Sequence, residues 1–235
     1  MDVVGDIVAR ERRSDRPALR VAARGRQYSY RDLCTTSWKA GNVLRYLGVH
    51  GGDRVDVAPV PSPQPLFTFF GSALLGAVAA FDELGPGSVV VVPADREPEF
   101  DLPPGSDLVV FGDDPADPAV THWEGTVWSE NPAFPPVTVA PSSPALRTST
   151  DAYTHRDLLD AAGRVADAAG LDDSSSVAVR ASLSDPRTLV AGVLAPLSVG
   201  GNVVLPDGAA SADVAVTDGA PVPEPEAFSL DRVRM

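Results

Sequence analysis

Four consecutive valines at positions 89–92 constrain the fold of this chain more than any other feature of its sequence. A strand that is apolar on both faces is typical of the centre of a parallel sheet, because helices cover such a sheet on both sides. The run at 108–111 repeats the pattern, and Gly85-Pro86-Gly87 predicts a turn before the first run. Strand-like and helical segments alternate along the chain. The sequence therefore predicts an α/β fold of mostly parallel sheets flanked by helices.

Apolar spacing and capping residues place the individual elements. Ser29 and Thr154 each stand where a helix N-cap is expected, and Asp32 follows Ser29 at the distance of a capping box. Helices are predicted at 3–12, 30–47, 66–75, 155–169 and 186–197. Strands are predicted at 18–23, 27–29, 54–58, 76–81, 88–92, 108–111, 120–127, 177–179, 202–205 and, as an edge strand, 214–216.

The distribution of prolines and turns suggests a division of the chain into two lobes. Residues 1–130 are expected to form an N-terminal α/β lobe. Residues 131–144 are extended and rich in proline, which is typical of a linker. A second α/β lobe is expected at 145–219, and residues 220–235 are expected to form a C-terminal tail along the surface.

The charge composition excludes one class of partner and suggests a habitat. The formal net charge is −13, and Lys39 is the single lysine among 19 basic residues. No basic stripe is available to neutralise phosphates, so nucleic acid is not expected as a partner. A carboxylate-rich surface almost free of lysine is typical of proteins that stay soluble in high salt. A GC-rich genome would produce the same bias, and the two interpretations are compatible; we favour a halophilic source.

The cysteine count, the acidic loop and the apolar segments bear on metal binding and on the cellular compartment. Cys34 is the single cysteine, which excludes a disulfide within the chain and a cysteine-based metal site. The acidic loop 112–118 lacks the glycine and glutamate placement of an EF-hand, so no metal site is predicted. Residues 1–13 lack the apolar core of a signal peptide, and the apolar stretch 66–81 is interrupted and short. We expect a cytoplasmic protein with no membrane partner.

Five segments, in this order, resemble motifs of the adenylate-forming superfamily, which includes acyl-CoA synthetases (AMP-binding ligases), luciferases and peptide-synthetase adenylation domains. The chain shows YSYRDL at 28–33 for LTYxEL, LGVHGGDRV at 47–55 for LGVxxGDRV, LLGAV at 74–78 for AxLxAGAV, YTHRDLL at 153–159 for THxNL, and LAPLSVGGNVVL at 194–205 for PLxxGAxVVLP. The resemblance covers most of the chain. It implies the fold of the N-terminal subdomains of these enzymes.

The chain departs from that superfamily at the phosphate-binding loop. In the family a loop of the form TSGTTGxPKG joins a strand to the THxNL helix, and its glycines and lysine bind the phosphates of ATP. Here Thr148, Ser149 and Thr150 lead almost directly to Asp151, without glycine or lysine. The metal-binding YGxTE segment, the ribose-binding YRTGD segment and the C-terminal domain with its catalytic lysine have no counterpart. The resemblance therefore implies a truncated and degenerate N-terminal lobe. Together with the acidic, lysine-poor composition, it favours a haloarchaeal source.

Thr148, Ser149 and Thr150 are the candidate nucleotide-binding residues, as the remnant of this loop. The competing interpretation is a plain turn before a helix. No catalytic residue and no metal ligand is predicted. His155 is expected to pack or to lie exposed, and Cys34 is expected to be a small buried hydrophobe.

Two functional hypotheses follow from the resemblance. The first is a non-catalytic, acyl-CoA synthetase-like pseudoenzyme that binds a partner or a small ligand; the partner would be a second copy or a related ligase subunit. The alternative is a minimal or split adenylate-forming ligase that another chain completes. It would use ATP and Mg²⁺ to activate a carboxylic acid and then transfer it to CoA, with AMP released.

Overall fold

The structure, a computed structural model, describes residues 1–85, 87–209 and 211–235. Within these residues the strands form two sheets. Pro86 of the Gly85–Gly87 turn lies outside the described residues, as does Ala210. The strands are β1 (Pro17–Val21), β2 (Arg26–Ser29), β3 (Arg54–Val57), β4 (Val78–Ala80), β5 (Val89–Pro93), β6 (Asp107–Phe111), β7 (Thr121–His122), β8 (Pro144–Arg147), β9 (Ala152–Thr154), β10 (Ser176–Val179), β11 (Asn202–Leu205), β12 (Val214–Thr217) and β13 (Glu226–Ser229).

Helices flank both sheets. The α-helices are α1 (Tyr30–Tyr46), α2 (Pro63–Leu75), α3 (Trp123–Ser129), α4 (His155–Ala169), α5 (Pro186–Leu189) and α6 (Ala195–Val199). A π-helical segment, Val190–Leu194, joins α5 to α6, so the predicted helix 186–197 is interrupted by a widened turn. Short 3₁₀ helices lie at Val4–Val8, Arg10–Arg12, Ala22–Arg24, Ala94–Glu99 and Leu230–Arg232. None of the helices in the described ranges has the length and hydropathy needed to cross a bilayer.

The first sheet has the strand order β7-β6-β5-β3-β4-β8-β9, and every pair in it is parallel except β8 with β9. The four valines of β5 lie near its centre and are fully buried. Val89 and Val91 pack into the main core, whereas Val90 and Val92 pack into a second cluster on the opposite face. The prediction of a mostly parallel α/β fold is therefore confirmed, and the valine run has the predicted position.

The second sheet has the strand order β13-β12-β10-β11-β1-β2 and is also parallel, apart from the hairpin of β1 and β2. The N-terminal hairpin thus joins strands from the C-terminal half of the chain. Strands β8 and β9, which follow the proline-rich segment, belong to the first sheet. Each sheet therefore contains strands from both sides of that segment.

Helices α1 and α2 pack closely on each other through glycine. A Cβ atom at Gly71 would lie 2.7 Å from the backbone nitrogen of Gly41, which only glycine avoids. The N-terminus of α1 has the predicted capping box: the Ser29 hydroxyl accepts the Asp32 N–H, and the Asp32 carboxylate accepts the Ser29 N–H. The predicted start of α1 is therefore the observed one, and its glycine allows the close contact with α2.

The structure corrects two predictions, one near the chain's N-terminus and one at 120–127. Residues 3–12 form two 3₁₀ segments rather than one helix, because Ala9 between them is extended and the Trp38 indole N–H donates to the Val8 carbonyl. The strand predicted at 120–127 is restricted to Thr121–His122 and is followed by α3. Trp123 and Val127 are both buried and four positions apart, which is helical spacing.

The C-terminal segment also differs from expectation. Residues 226–229, expected within a surface tail, form β13 and pair in parallel with β12. Strand β12, expected at an edge, therefore has a neighbour on each side. The short strand at 226–229 (EAFS) carries only two apolar residues, so its pairing was not evident from hydropathy.

Candidate functional site

The candidate residues form the tip of the hairpin between β8 and β9. The Thr148 N–H donates to the Asp151 carbonyl across the four-residue turn, with a nitrogen–oxygen distance of 2.8 Å. Strand β8 pairs in parallel with β4, so the turn lies at the carboxyl edge of the first sheet. In α/β proteins ligands bind at this edge, which makes the turn a reasonable place for an anion.

Hydroxyl groups of the turn bond to the turn's own backbone. The Thr148 Oγ1 accepts the N–H of Asp151 at 3.0 Å and that of Thr150 at 3.4 Å. The Thr150 hydroxyl donates to the Asp151 carboxylate at 2.6 Å. These bonds shape an ST-type turn and use the donors that an anion would need.

The remaining backbone donor of the turn is bound by a carboxylate from another strand. The Ser149 N–H donates to Oδ2 of Asp82 at 2.6 Å, although the two residues are 67 positions apart. Asp82 follows β4, whose carboxyl end adjoins that of β8. A carboxylate of the protein therefore occupies the position on Ser149 where a phosphate oxygen would bind.

An open groove of about 420 Å³ separates this turn from the N-terminus of α5. Its charged lining comprises Asp82, Asp151, Asp185 and Arg187. Arg187 forms a bidentate pair with Asp185, at 3.0 Å from Nε to Oδ1 and 2.7 Å from Nη2 to Oδ2. Hydrogen bonds from Arg187 lower the pKa of Asp185, while burial, together with Asp151 and Asp185, raises the pKa of Tyr153. The lining has a net negative charge, which repels phosphate.

The structure thus brings Thr148, Ser149 and Thr150 together in one turn, and their role as a nucleotide-binding remnant stays a prediction. Sequence reasoning missed Asp82. The sequence shows that Asp82 directly follows an apolar strand and so lies at the carboxyl edge of a parallel sheet, but it does not show that this strand is a neighbour of the one that leads into the turn.

His155 and Cys34 are both buried. His155 lies at the start of α4, and its Nδ1 accepts the Val4 N–H at 3.1 Å. Burial lowers the pKa of His155 to about 4, so the ring is neutral at pH 7. Burial likewise raises the pKa of the Cys34 thiol to about 11, which disfavours the reactive thiolate. Across 1–85, 87–209 and 211–235, no three His, Cys, Asp or Glu side chains are grouped to hold a metal ion.

Comparison with known proteins identifies the fold. No protein-family model matches the sequence, and no curated protein matches it. Solved structures do match. The anthranilate CoA ligase AuaEII in complex with anthranoyl-AMP has a TM-score of 0.79 and 20% identity, covering 92% of this chain and 49% of the ligase. Apo MatB from Rhodopseudomonas palustris has a TM-score of 0.75 and 15% identity, with the same two coverages.

A third similar structure is the nonribosomal peptide synthetase FmoA3, with a TM-score of 0.68, 19% identity, and coverage of 86% of this chain and 22% of the synthetase. The chain has the fold of adenylate-forming CoA ligases. It spans about half the length of AuaEII and of MatB. At these identities the likeness concerns the fold, and activity is a separate question.

Proposed function

We propose that this chain is a non-catalytic protein built on the fold of the N-terminal part of acyl-CoA ligases, and that it binds a partner or a small ligand in place of activating acids with ATP. The observation that carries the proposal is the 2.6 Å hydrogen bond from the Ser149 N–H to the Asp82 carboxylate. In the turn that the sequence resemblance suggests as the remnant of a phosphate loop, this backbone donor is already bonded to a carboxylate of the protein itself.

The electrostatics of the groove support the same proposal. Stabilising the phosphates of ATP and a pyrophosphate leaving group requires free N–H donors and cations at the phosphates. In this groove Asp82, Asp151 and Asp185 oppose one arginine, which already pairs with Asp185. An incoming triphosphate would meet like charge and no free donor from the backbone of the turn.

Calorimetry and an exchange assay test the proposal. The chain is titrated with ATP and with AMP in the presence of Mg²⁺ and molar KCl, and ATP–pyrophosphate exchange is measured with a panel of carboxylic acids. We expect no saturable binding below about 1 mM, which corresponds to about −4 kcal/mol, and no exchange. Micromolar nucleotide binding together with exchange would refute the proposal.

A second candidate is one part of a split adenylate-forming ligase. Its support is the extent of the match, 92% of this chain against 49% of AuaEII. ATP, Mg²⁺ and CoA would then bind once a related ligase subunit supplied the missing groups. Co-expression with the products of adjacent genes, followed by the same exchange assay, tests it. Activity that appears only with the second chain supports this candidate, and no activity with any neighbour argues against it.

The net charge of −13 and the single lysine support a further proposal, that the protein works in the cytoplasm of a halophile. At 1 M salt the Debye length is about 3 Å, so repulsion between carboxylates that are farther apart than this is screened. Thermal unfolding measured from low to molar KCl should show Tm rising into the molar range. A Tm that levels off at physiological salt would favour a purely genomic origin of the composition.

A further inference from the structure

A second groove, of about 520 Å³, lies at the other end of the carboxyl edge of the first sheet. Segments that follow β3, β5 and β6 line it, and the β1–β2 hairpin closes one side. Chain connections leave β3 towards β4 and leave its neighbour β5 in the opposite direction, towards β6. Ligands of open α/β sheets bind at such a topological switch point. We call this cavity the switch groove; it is separate from the Thr148–Asp151 turn.

Aromatic rings form the floor of the switch groove. Phe67 and Trp123 stack with ring centroids 6.0 Å apart and planes 21° apart. Trp128 meets Trp123 edge-on at 6.2 Å, and Tyr28 meets Phe67 edge-on at 5.3 Å. Trp128 keeps 45% of its surface exposed, although the other three are buried. An exposed indole supported by a rigid aromatic cluster offers a flat apolar face to a ligand.

Two arginines of the hairpin line the groove, and one of them, Arg26, lies over the aromatic floor. The Arg26 guanidinium lies 4.8 Å from the Tyr28 ring centroid and 5.5 Å from that of Trp128. Arg24 lines the same groove, and both arginines oppose the rise in the pKa of Tyr28 that burial causes. In the described part of the chain, neither guanidinium has an ion-pair or hydrogen-bond partner. In contrast, Arg54 and Arg180 each pair with a buried acid.

The opposite wall of the groove is polar but already satisfied. Gln64 donates from Nε2 to Glu124 Oε1 at 2.6 Å, and the Gly112 N–H donates to the same carboxylate at 3.2 Å. Asp95 and Asp113 also line the groove and are exposed. These acids repel an anion on their side. The charged end of a ligand is therefore directed to the arginines, whose planar forks match a carboxylate or a phosphate.

We propose that the switch groove binds a small aromatic anion, with its ring against Trp128 and its carboxylate or phosphate on Arg24 and Arg26. A guanidinium stacked on aromatic rings keeps its N–H edge free to form two parallel hydrogen bonds. The cavity volume is in the range of small-molecule sites. This inference does not depend on whether the turn at Thr148 binds nucleotide.

NMR titration of the whole chain tests the proposal, because its three tryptophans give three indole N–H signals. The probes are benzoate and phenyl phosphate, compared with cyclohexanecarboxylate, which keeps the charge without an aromatic face. We expect saturable shifts of the Trp123 and Trp128 signals with either aromatic anion. The Trp38 indole, bonded to the Val8 carbonyl, should not move. The tighter of the two aromatic anions identifies the preferred head group.

Matched variants make the test specific. Arg26→Gln should weaken binding about tenfold, the loss expected for a charge-assisted pair. Arg31→Gln, at an exposed arginine paired with Asp15, should leave binding unchanged. Glu124→Gln removes a charge but keeps the shape of the wall, and should tighten binding severalfold. Binding that is equal for cyclohexanecarboxylate, unchanged in Arg26→Gln, or absent up to about 10 mM would overturn the proposal.

Discussion

The imidazole Nδ1 of His155 accepts a 3.1 Å hydrogen bond from the backbone N–H of Val4, although 151 positions separate the two residues. The bond joins the N-terminal 3₁₀ segment to the first turn of α4. It requires an unprotonated Nδ1, because a protonated imidazole has no acceptor. One of the bonds that hold the N-terminus to the core therefore requires a neutral histidine.

This dependence predicts a loss of stability in mild acid. Burial lowers the pKa of His155 from 6.5 to about 4. Between these values the unfolded chain takes up a proton that the folded chain does not, so stability falls as pH decreases. His155 alone should cost about 3 kcal/mol between pH 7 and pH 4. Urea unfolding at a series of pH values measures this loss.

The variant His155→Asn isolates the contribution of the histidine, since asparagine can accept the Val4 N–H but does not titrate. We expect its stability to fall less steeply over the same pH range. Parallel curves for the two proteins would show that other groups cause the acid sensitivity.

Asp82→Ala should create anion binding at the Thr148–Asp151 turn. The change frees the Ser149 N–H and removes one of three negative charges in the groove. The affinity for inorganic phosphate should rise about tenfold or more, measured by NMR titration of the Ser149 amide. Asp82→Asn, which keeps an acceptor, should give a smaller gain. Glu83→Ala, at the adjacent exposed acid, is the control and should give none; an equal gain there would contradict a specific role for Asp82.

Arg180→Gln should destabilise the second sheet. Arg180 donates to both carboxylate oxygens of Glu224, at 2.8 Å and 2.6 Å, and the Glu224 side chain is fully buried. Burial opposes ionisation of Glu224, but the bonds from Arg180 and from backbone N–H groups outweigh it and lower its pKa. Leaving this charge unpaired should cost about 3–5 kcal/mol in the free energy of unfolding.

The loss in Arg180→Gln should shrink as the pH falls into the acidic range in which Glu224 is protonated, because the carboxyl then carries no unpaired charge. Arg187→Gln breaks a more exposed pair with Asp185 and should cost less than about 1 kcal/mol. Equal losses in the two variants, measured by urea unfolding, would mean that the burial of Glu224 is not decisive.

Two glycine-to-alanine changes on helices should have opposite effects. At Gly71 a Cβ would lie 2.7 Å from the Gly41 nitrogen, so Gly71→Ala should destabilise the protein by about 3 kcal/mol. At Gly163, exposed in the middle of α4, a Cβ meets nothing within 4 Å. Gly163→Ala should stabilise by up to about 1 kcal/mol. Thermal unfolding compares them, and effects of the same sign would refute the packing argument.

Local signals in the sequence predicted local structure well. The valine run placed β5 inside a parallel sheet, and the capping boxes of Ser29 with Asp32 and of Thr154 with Asp157 start α1 and α4 where expected. Helix α3 was missed because its seven residues are too few to show a clear helical period. Its two tryptophans and its valine are also common in strands.

The candidate site was predictable only in part. The hydroxyl run 148–150 and the adjacent acid are visible in the sequence, but the acceptor of the Ser149 N–H comes from another strand, 67 positions away. The switch groove likewise joins a hairpin at 24–28 to residues near 124. No local pattern reports which strands become neighbours, so neither set of contacts was accessible before the fold was known.

The sequence by itself determined the α/β class, the position of β5 inside a parallel sheet and the starts of helices α1 and α4. These depend on apolar spacing and on caps, which act between residues a few positions apart. Tertiary structure alone decided that β1 and β2 join the second sheet, that β13 covers β12, and that Asp82 binds the turn at Ser149. Those outcomes depend on which apolar faces pack together, and this packing involves residues that are far apart in the sequence.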